Sequence, residues 1–246
     1  MARPQFIYSE LLQNANVHHG WFMRFGGVSG GAFESLNGKK GNGDDDICVD
    51  TNRQRALTAL FEKSFLRDSE LKLAHIVHSF QANILHAKTA GEYKAFDASL
   101  TTTSNIVLSQ TTADCGTVII ASKGGEIVAL VHGSWHTLSA RIICKVVAKM
   151  KTHTSNELIA GIGPMICANC YEFGDEAVDL FLGKYLSRPD GKYRVNLRQM
   201  IIDQLRESGV SQIDDVSICT LEDERFFSHR RSGAHSGRFL TLASPR

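Results

Sequence analysis

The sequence predicts an α/β protein, a three-layer α/β/α sandwich around a mixed central sheet. Short segments rich in Val and Ile alternate with amphipathic helical ones along most of the chain, the pattern of strands covered by helices. Two strand segments, GTVIIAS (116–122) and EIVALVHGS (126–134), flank a Lys-Gly-Gly turn at 123–125. That pair reads as a hairpin, so the sheet is mixed rather than purely parallel. No repeat, heptad run, low-complexity tract or Pro-rich linker breaks the 246 residues. Residues 1–246 are therefore expected to form a single domain.

Taken in order, the segment NGKKGNGDDD (37–46) reads as a surface loop, its Asp44–Asp46 run solvated or capping the next helix. VDTNRQRALTALFEKSF is a helix beginning near Asp50 or Thr51, with apolar residues at 57, 60 and 61. LKLAHIVHS (71–79) and NIVLSQTT (105–112) are strands, followed by the hairpin. LSARIICKVVAKMKTH (138–153) is a helix, because Leu138, Ile142, Val146 and Met150 fall at four-residue steps. ELIAGIGP is a strand ending at Pro164. EFGDEAVDLFLGKYL (172–186) and NLRQMIIDQLRESG (196–209) read as helices, the second stopped by Gly209. DDVSICT and FLTLA close the set as short strands.

Composition excludes several functions. The chain carries 27 Lys plus Arg against 26 Asp plus Glu, a net charge of +1, which argues against a general nucleic-acid binder. No apolar run reaches the length of a membrane helix, and the opening MARPQFIYSELLQN lacks a signal peptide's apolar core. The expectation is a cytoplasmic monomer with reduced thiols at 48, 115, 144, 167, 170 and 219. Neither a GxGxxG fingerprint nor a GxxxxGK[ST] loop occurs.

Reactive residue types concentrate at His75 and His78, at TTADCG with Cys115, and at VHGSWH with His132 and His136. The gaps are too long for a zinc finger but suit neighbouring strand ends in a sheet. Two His and one Cys satisfy a catalytic zinc site with an open fourth position, with Asp114 as an orienting or acid/base group. The same residues allow a Cys115 nucleophile activated by His132, or ordinary core packing with histidines on backbone carbonyls. The CANC pair, Cys167 and Cys170, reads as a packed turn, a redox pair or half a metal site; it lacks a second such pair. RFFSHRRSGAHSGR (225–238) holds four Arg and no acid, either a surface loop or a receptor for phosphate or carboxylate. Arg24 beside Gly26 and Gly27 reads as a strand-to-turn connection, and Asn37 and the Asn52–Arg53 pair as caps.

These blocks, in order, resemble one family. MRFGGVSGGAFESLN, TNRQRAL, VHS, DASLTTT, TTADCGTVII, VALVHGSWHTL, GIGPMICANCYEFG and SICTLEDERFFSHRRSGAHSGR are similar to those of the YfiH-like proteins. These were once described as multicopper polyphenol oxidoreductases or laccase-domain proteins. They now include purine nucleoside-processing enzymes and a peptidoglycan-editing factor. The resemblance covers nearly the whole chain and implies one zinc ion held by His78, Cys115 and His132. It implies a purine nucleoside and phosphate as small-molecule partners, with Arg24, Arg230, Arg231 and Arg238 at or near the pocket. Asn37 and Arg53 join them as substrate- or phosphate-binding candidates, and Asp114 and His136 as proton shuttles. Deamination of adenosine and phosphorolysis of adenosine, inosine, guanosine or methylthioadenosine are the implied reactions. Cysteine-based hydrolysis or peptidoglycan-precursor editing, copper-dependent polyphenol oxidation and non-enzymatic binding are the alternatives. Copper is the weaker metal, since three mixed ligands fall short of a multicopper histidine array. The chain departs from the family pattern where HAGWRG becomes HGSWHT, with His136 at the Arg position and Thr137 at the Gly position. It also has Thr117 for the Pro after the cysteine, IVHS for QVHG and Asn169 for one cysteine of CCYE.

Overall fold

Strands buried on both faces organise the molecule; the computed structural model describes residues 2–62 and 71–245. One sheet holds β1 (Phe6–Ile7), β2 (His18–Phe22), β3 (Lys72–Val77), β5 (Gly91–Lys94), β7 (Ile106–Thr112) and β15 (Phe239–Ser244), in the order β1-β2-β15-β7-β3-β5. The other holds β4 (Ile84–His86), β6 (Ala98–Thr101), β8 (Gly116–Ser122), β9 (Val128–Gly133), β10 (Leu158–Ile162) and β14 (Gln212–Asp215), in the order β14-β10-β8-β9-β6-β4. Both are mixed: β3 runs parallel to β5 and β7, β10 parallel to β14 and β4 parallel to β6, while the remaining pairs are antiparallel. The β8–β9 hairpin is as expected, with Gly125 at φ +78° in its turn.

The α/β class and the mixed strand directions match the sequence, but the central layer is two sheets instead of one. Trp21 and Leu108 from the first sheet meet Ile119, Leu130 and Ile159 from the second in a shared core. Helix α2 (Asp46–Phe61) covers the outside of the first sheet with Leu57 and Phe61. Helices α4 (Ile142–Lys151) and α6 (Leu197–Glu207) cover the second with Val146, Met150, Ile201 and Leu205. On β8, Ile119 faces the other sheet and Ile120 the helices, as the two-residue period of a strand requires. A strand covered on both faces reads as one apolar run whether its second neighbour is helix or sheet. That is why the sequence suggested a single sheet.

Local chemistry explains the other differences. Helix α2 starts earlier than its apolar spacing suggests, because the Asp45 side chain accepts from Ile47 N. The last residues of that expected helix, Lys63 to Phe65, lie outside the described residues. The helix expected over 138–153 is broken at Arg141, which has φ +57°. Leu138 belongs instead to the short α3 (Trp135–Ser139). Residues 172–186 keep a helical burial period, with Ala177, Phe181 and Tyr185 buried. Yet they form only α5 (Ala177–Leu180) between β11 (Glu172–Phe173) and β12 (Leu186–Ser187), in a small sheet completed by β13 (Tyr193–Val195). Gly174 and Gly183 interrupt the stretch, and glycine is a poor helix former. Short helices α1 (Glu10–Asn14) and α7 (His229–Ser232) complete the set. Gly163 of the GIGP block has a packing reason: a Cβ there would sit 2.1 Å from Trp21 Nε1. No helix among the described residues is long and apolar enough to cross a membrane.

One buried group makes the scaffold acid-sensitive. His19 Nε2 accepts the Ser9 N–H at 2.8 Å while Nδ1 lies 2.9 Å from Val17 O, so the neutral ring with its proton on Nδ1 satisfies both contacts. Burial lowers its pKa to about 4. The unfolded chain therefore binds the extra proton first, and His19 costs stability as pH falls below about 6.5. The cost is about 2 kcal/mol at pH 5 and about 3 kcal/mol near pH 4. Urea unfolding of wild type and His19→Gln at pH 7 and pH 5 checks this: the substituted chain should lose about 2 kcal/mol less across that interval.

Candidate functional site

The site forms where the two sheets meet. His78 follows β3, His132 stands near the end of β9, and Cys115 occupies the tight connection from β7 to β8 that carries the chain between sheets. Asp114, at φ +85°, makes that connection sharp. Helix α3 fixes the backbone after His132: Ser134 and Thr137 form a reciprocal capping box, and Thr137 Oγ1 donates to His132 O at 2.7 Å. The residues that distinguish HGSWHT therefore hold His132 in place.

His78, Cys115 and His132 line one cavity of about 550 Å³. The two imidazoles stand edge to face with ring centroids 3.6 Å apart. Both nitrogens of His78 and Nδ1 of His132 are buried without a hydrogen-bond partner. Burial holds both rings below the usual histidine pKa, and the facing His132 lowers His78 further. Burial and the Asp114 charge push the Cys115 thiol up to about 12. Neutral imidazoles with unused lone pairs are what a metal ion takes as ligands, and a metal would draw the thiol proton off.

The compact group of possible donors is His78, Asp97 and His132, whose ligand atoms lie within 4.8 Å of one another; Cys115 lines the cavity beside it. Asp97 was not selected from the sequence. It is fully buried, and Oδ1 accepts from Ser79 N and Phe80 N, Oδ2 from Ser79 Oγ, Gln81 N and Ala82 N, at 2.9–3.1 Å. Its lone pairs are spent on this loop. Its Oδ1 also lies 3.6 Å from His132 Nδ1, the position of a group that orients a metal-ligating histidine. The loop presents Phe80 to the cavity mouth, half exposed.

Cations crowd the rest of the wall. Lys39, Lys40, Arg53, Lys94 and Arg238 line the cavity with His229. Arg53 is buried, donates to Gly38 O and pairs with Glu92 at 3.0 Å. Arg238 touches His229 Nδ1 at 3.1 Å, and burial lowers its pKa. Asn37, also buried, does not line the cavity. Its Oδ1 accepts from Lys39 N and Arg238 N, and so positions both.

The other candidates lie elsewhere. Asp114 is engaged behind Cys115 by Thr220 Oγ1 and Arg230 N, each at 2.7 Å, and does not face the cavity as a proton shuttle would. Arg24 donates to Glu34 O and lies over Phe227. Arg230 donates to Glu172 O over Tyr171, and Arg231 spends its guanidinium on the carbonyls of Thr220, Leu221 and Phe226. His136 is exposed and stacked on Trp135, 5.3 Å from the Phe80 ring and outside the lining. Thus His78, Cys115, His132, Arg53 and Arg238 share the cavity, Asn37 supports it, and Asp114, Arg24, Arg230, Arg231 and His136 do not line it.

Comparison with known proteins agrees with the fold. The family model described as multi-copper polyphenol oxidoreductase laccase matches residues 18–245. A Xylella fastidiosa protein named purine nucleoside phosphorylase is 32% identical over 234 residues, covering 88% of this chain and 87% of its own. A solved structure from Neisseria meningitidis superposes with a TM-score of 0.85 at 27% identity, covering 98% of each chain. YfiH from Bacillus licheniformis shares the fold, with a TM-score of 0.83 at 24% identity over 100% of this chain and 97% of its own. The chain belongs to the multi-copper polyphenol oxidoreductase laccase family, the group of the YfiH-like proteins.

Proposed function

We propose that this chain is a metal-dependent enzyme that cleaves purine nucleosides with phosphate. The observation that carries the reading is the shared cavity: neutral His78 and His132, Cys115 and a ring of cations face one space of about 550 Å³. Relatives over most of the chain's length are named purine nucleoside phosphorylase. His78, Cys115 and His132 would hold zinc, which suits a mixed nitrogen and sulfur donor set. When bound, zinc supplies a Lewis acid in the cavity wall.

The chain's own residues account for the rest. Lys39, Lys40 and Arg238 attract the phosphate dianion and hold it where its oxygen attacks C1′ of the ribose as the bond to the base breaks. Phe80 offers an apolar face for the purine, and the Asp97-braced loop keeps it at the cavity mouth. Lys39 gives a direct test, because partial desolvation at the cavity edge and the like charge of Arg238 lower its pKa, and a bound anion would offset both. Lys39→Met is expected to raise the KM for phosphate about 10-fold while kcat changes little, the scale of one charge-assisted hydrogen bond. Initial rates over a phosphate series at fixed inosine read this directly.

Hydrolytic deamination of adenosine is the second reading, favoured by the same His-His-Cys donor set, which suits Lewis-acid attack of water on a purine ring. A cysteine nucleophile is disfavoured: no histidine among the described residues hydrogen-bonds Cys115, and its thiol stays protonated near neutrality. Incubating zinc-loaded protein with adenosine, inosine, guanosine and methylthioadenosine, with and without phosphate, decides. Free base plus ribose 1-phosphate (the methylthio derivative from methylthioadenosine) supports the proposal. Inosine and ammonia from adenosine support deamination, and no turnover above a His132→Ala control rejects both.

A further inference from the structure

Away from the cavity, a second group of metal-ligating atoms comes together. Cys167, Cys170, Cys219 and Glu222 each contribute one atom to a cluster in which all four lie within 4.8 Å of one another. None of the four lines the catalytic cavity. They come from two turns of matching spacing, Cys-x-x-Cys at 167–170 and Cys-x-x-Glu at 219–222. Protein contacts alone hold the turns together. Met165 and Cys219 form a parallel bridge, and Cys167 N donates to Cys219 Sγ at 3.3 Å. Arg194 braces the first turn by donating to Asn169 O at 2.7 Å.

We propose that Cys167, Cys170, Cys219 and Glu222 form a structural zinc site, closed by four protein ligands and separate from the catalytic metal. Cys sulfur and carboxylate oxygen are both zinc ligands, four of them make up the number of a closed structural site, and atoms already gathered within 4.8 Å of one another need only side-chain adjustment to reach bonds of about 2.0–2.3 Å from one centre. Cys170 Sγ already points to Glu222 Oε1 at 3.4 Å as a thiol donor. Metal binding replaces that proton, releasing it to solvent as the thiolate and the carboxylate both turn to the cation.

The site ties the segment after β10 to the segment that supports the cavity wall. Thr220, inside the Cys219–Glu222 turn, donates to Asp114, the residue before Cys115, and its carbonyl accepts from Arg231. Zinc here would therefore hold the backing of the β7–β8 connection from outside, whatever reaction the cavity performs.

Metal content under reducing conditions tests the site separately from the activity. Zinc-loaded wild type, Cys219→Ser, Cys170→Ser, Glu222→Gln and His132→Ala are dialysed and their zinc is measured per chain. The serine variants are expected to lose one equivalent relative to wild type and to melt at lower temperature. Glu222→Gln, at an exposed position, should keep the fold but bind zinc more than about 10-fold more weakly. Cobalt-loaded His132→Ala should show a thiolate-to-cobalt charge-transfer band that disappears when Cys219→Ser is added. Unchanged zinc in Cys170→Ser, Cys219→Ser and Glu222→Gln overturns the proposal. So does a disulfide among these cysteines in the zinc-loaded protein, seen as loss of two hydrogens in intact mass. Zinc lost only in His132→Ala likewise removes this site and leaves the catalytic one standing.

Discussion

His132→Ala should reduce kcat/KM for the preferred purine nucleoside on the order of 10³-fold, with the chain still folded. The magnitude is that of losing a preorganised charge-stabilising group, here together with one donor of the proposed metal site. Folding should survive because the buried environment already penalises the charged ring, and the backbone around position 132 is secured independently. Its N–H donates to Asp97 O at 2.9 Å and its carbonyl accepts from Thr137 Oγ1. The alanine leaves a cavity costing about 2–3 kcal/mol, within the stability of most domains. Steady-state kinetics with circular dichroism and thermal melting separate the two effects. His78→Ala should behave alike, because its ring meets that of His132 at 3.6 Å and the two act as a unit. A double variant should consequently be little worse than either single one. Losses that multiply would show that the two histidines act independently and would remove the shared-metal reading.

The legible part of this site was what residue type and strand position encode. His78, Cys115 and His132 stand at strand ends and carry ligand chemistry, so spacing alone grouped them before any fold was known. The arginines were less legible. Arg231 looks like an anion receptor in a basic stretch, and the family resemblance alone points Arg24 to the pocket, yet both donate to main-chain carbonyls. A count of positive charges cannot tell a binding arginine from one that satisfies a loop. Lys39 shows the reverse case: it sits in a Gly-rich loop that reads as surface, and Asn37, 0% exposed, bends that loop over the cavity. The second sheet was hidden for a related reason. On β8 both Ile119 and Ile120 are buried, and alternation disappears wherever both faces are covered. The CANC pair gained meaning only when Cys219 and Glu222, some fifty positions later in the chain, folded back on it. Asp97 was the largest omission, because four of its five hydrogen-bond donors are backbone N–H groups, which carry no sequence signature.

Asp97→Asn should be far more damaging than its near-identical shape suggests, destabilising the chain by about 3–5 kcal/mol, the scale of breaking a buried charge network. The aspartate accepts five hydrogen bonds from residues 79–82, two at Oδ1 and three at Oδ2, and donates none. An asparagine must turn an NH₂ group toward two or three of those donors, leaving them buried and unpaired whichever way the amide is flipped. The melting temperature should fall by about 10 °C. The fall should shrink as wild type is acidified below about pH 4, by the linkage of the native carboxylate. Its hydrogen bonds outweigh burial and hold the folded pKa below the unfolded value, so the stabilisation is complete above the unfolded value and is lost as pH falls through the folded one. Activity should fall as well, since the same carboxylate faces His132 Nδ1 and fixes the loop that carries Phe80. Loss of metal affinity by about 10–100-fold in the folded fraction would mark the orienting role, because a purely structural residue would lower stability and leave zinc affinity unmoved. Asp97→Ala, which removes the misplaced NH₂ but leaves the donors unpaired and a cavity besides, should be no more stable than Asp97→Asn. If Asp97→Asn instead melts within about 2 °C of wild type, the 79–82 loop is not held by charge, and Asp97 cannot be what positions His132.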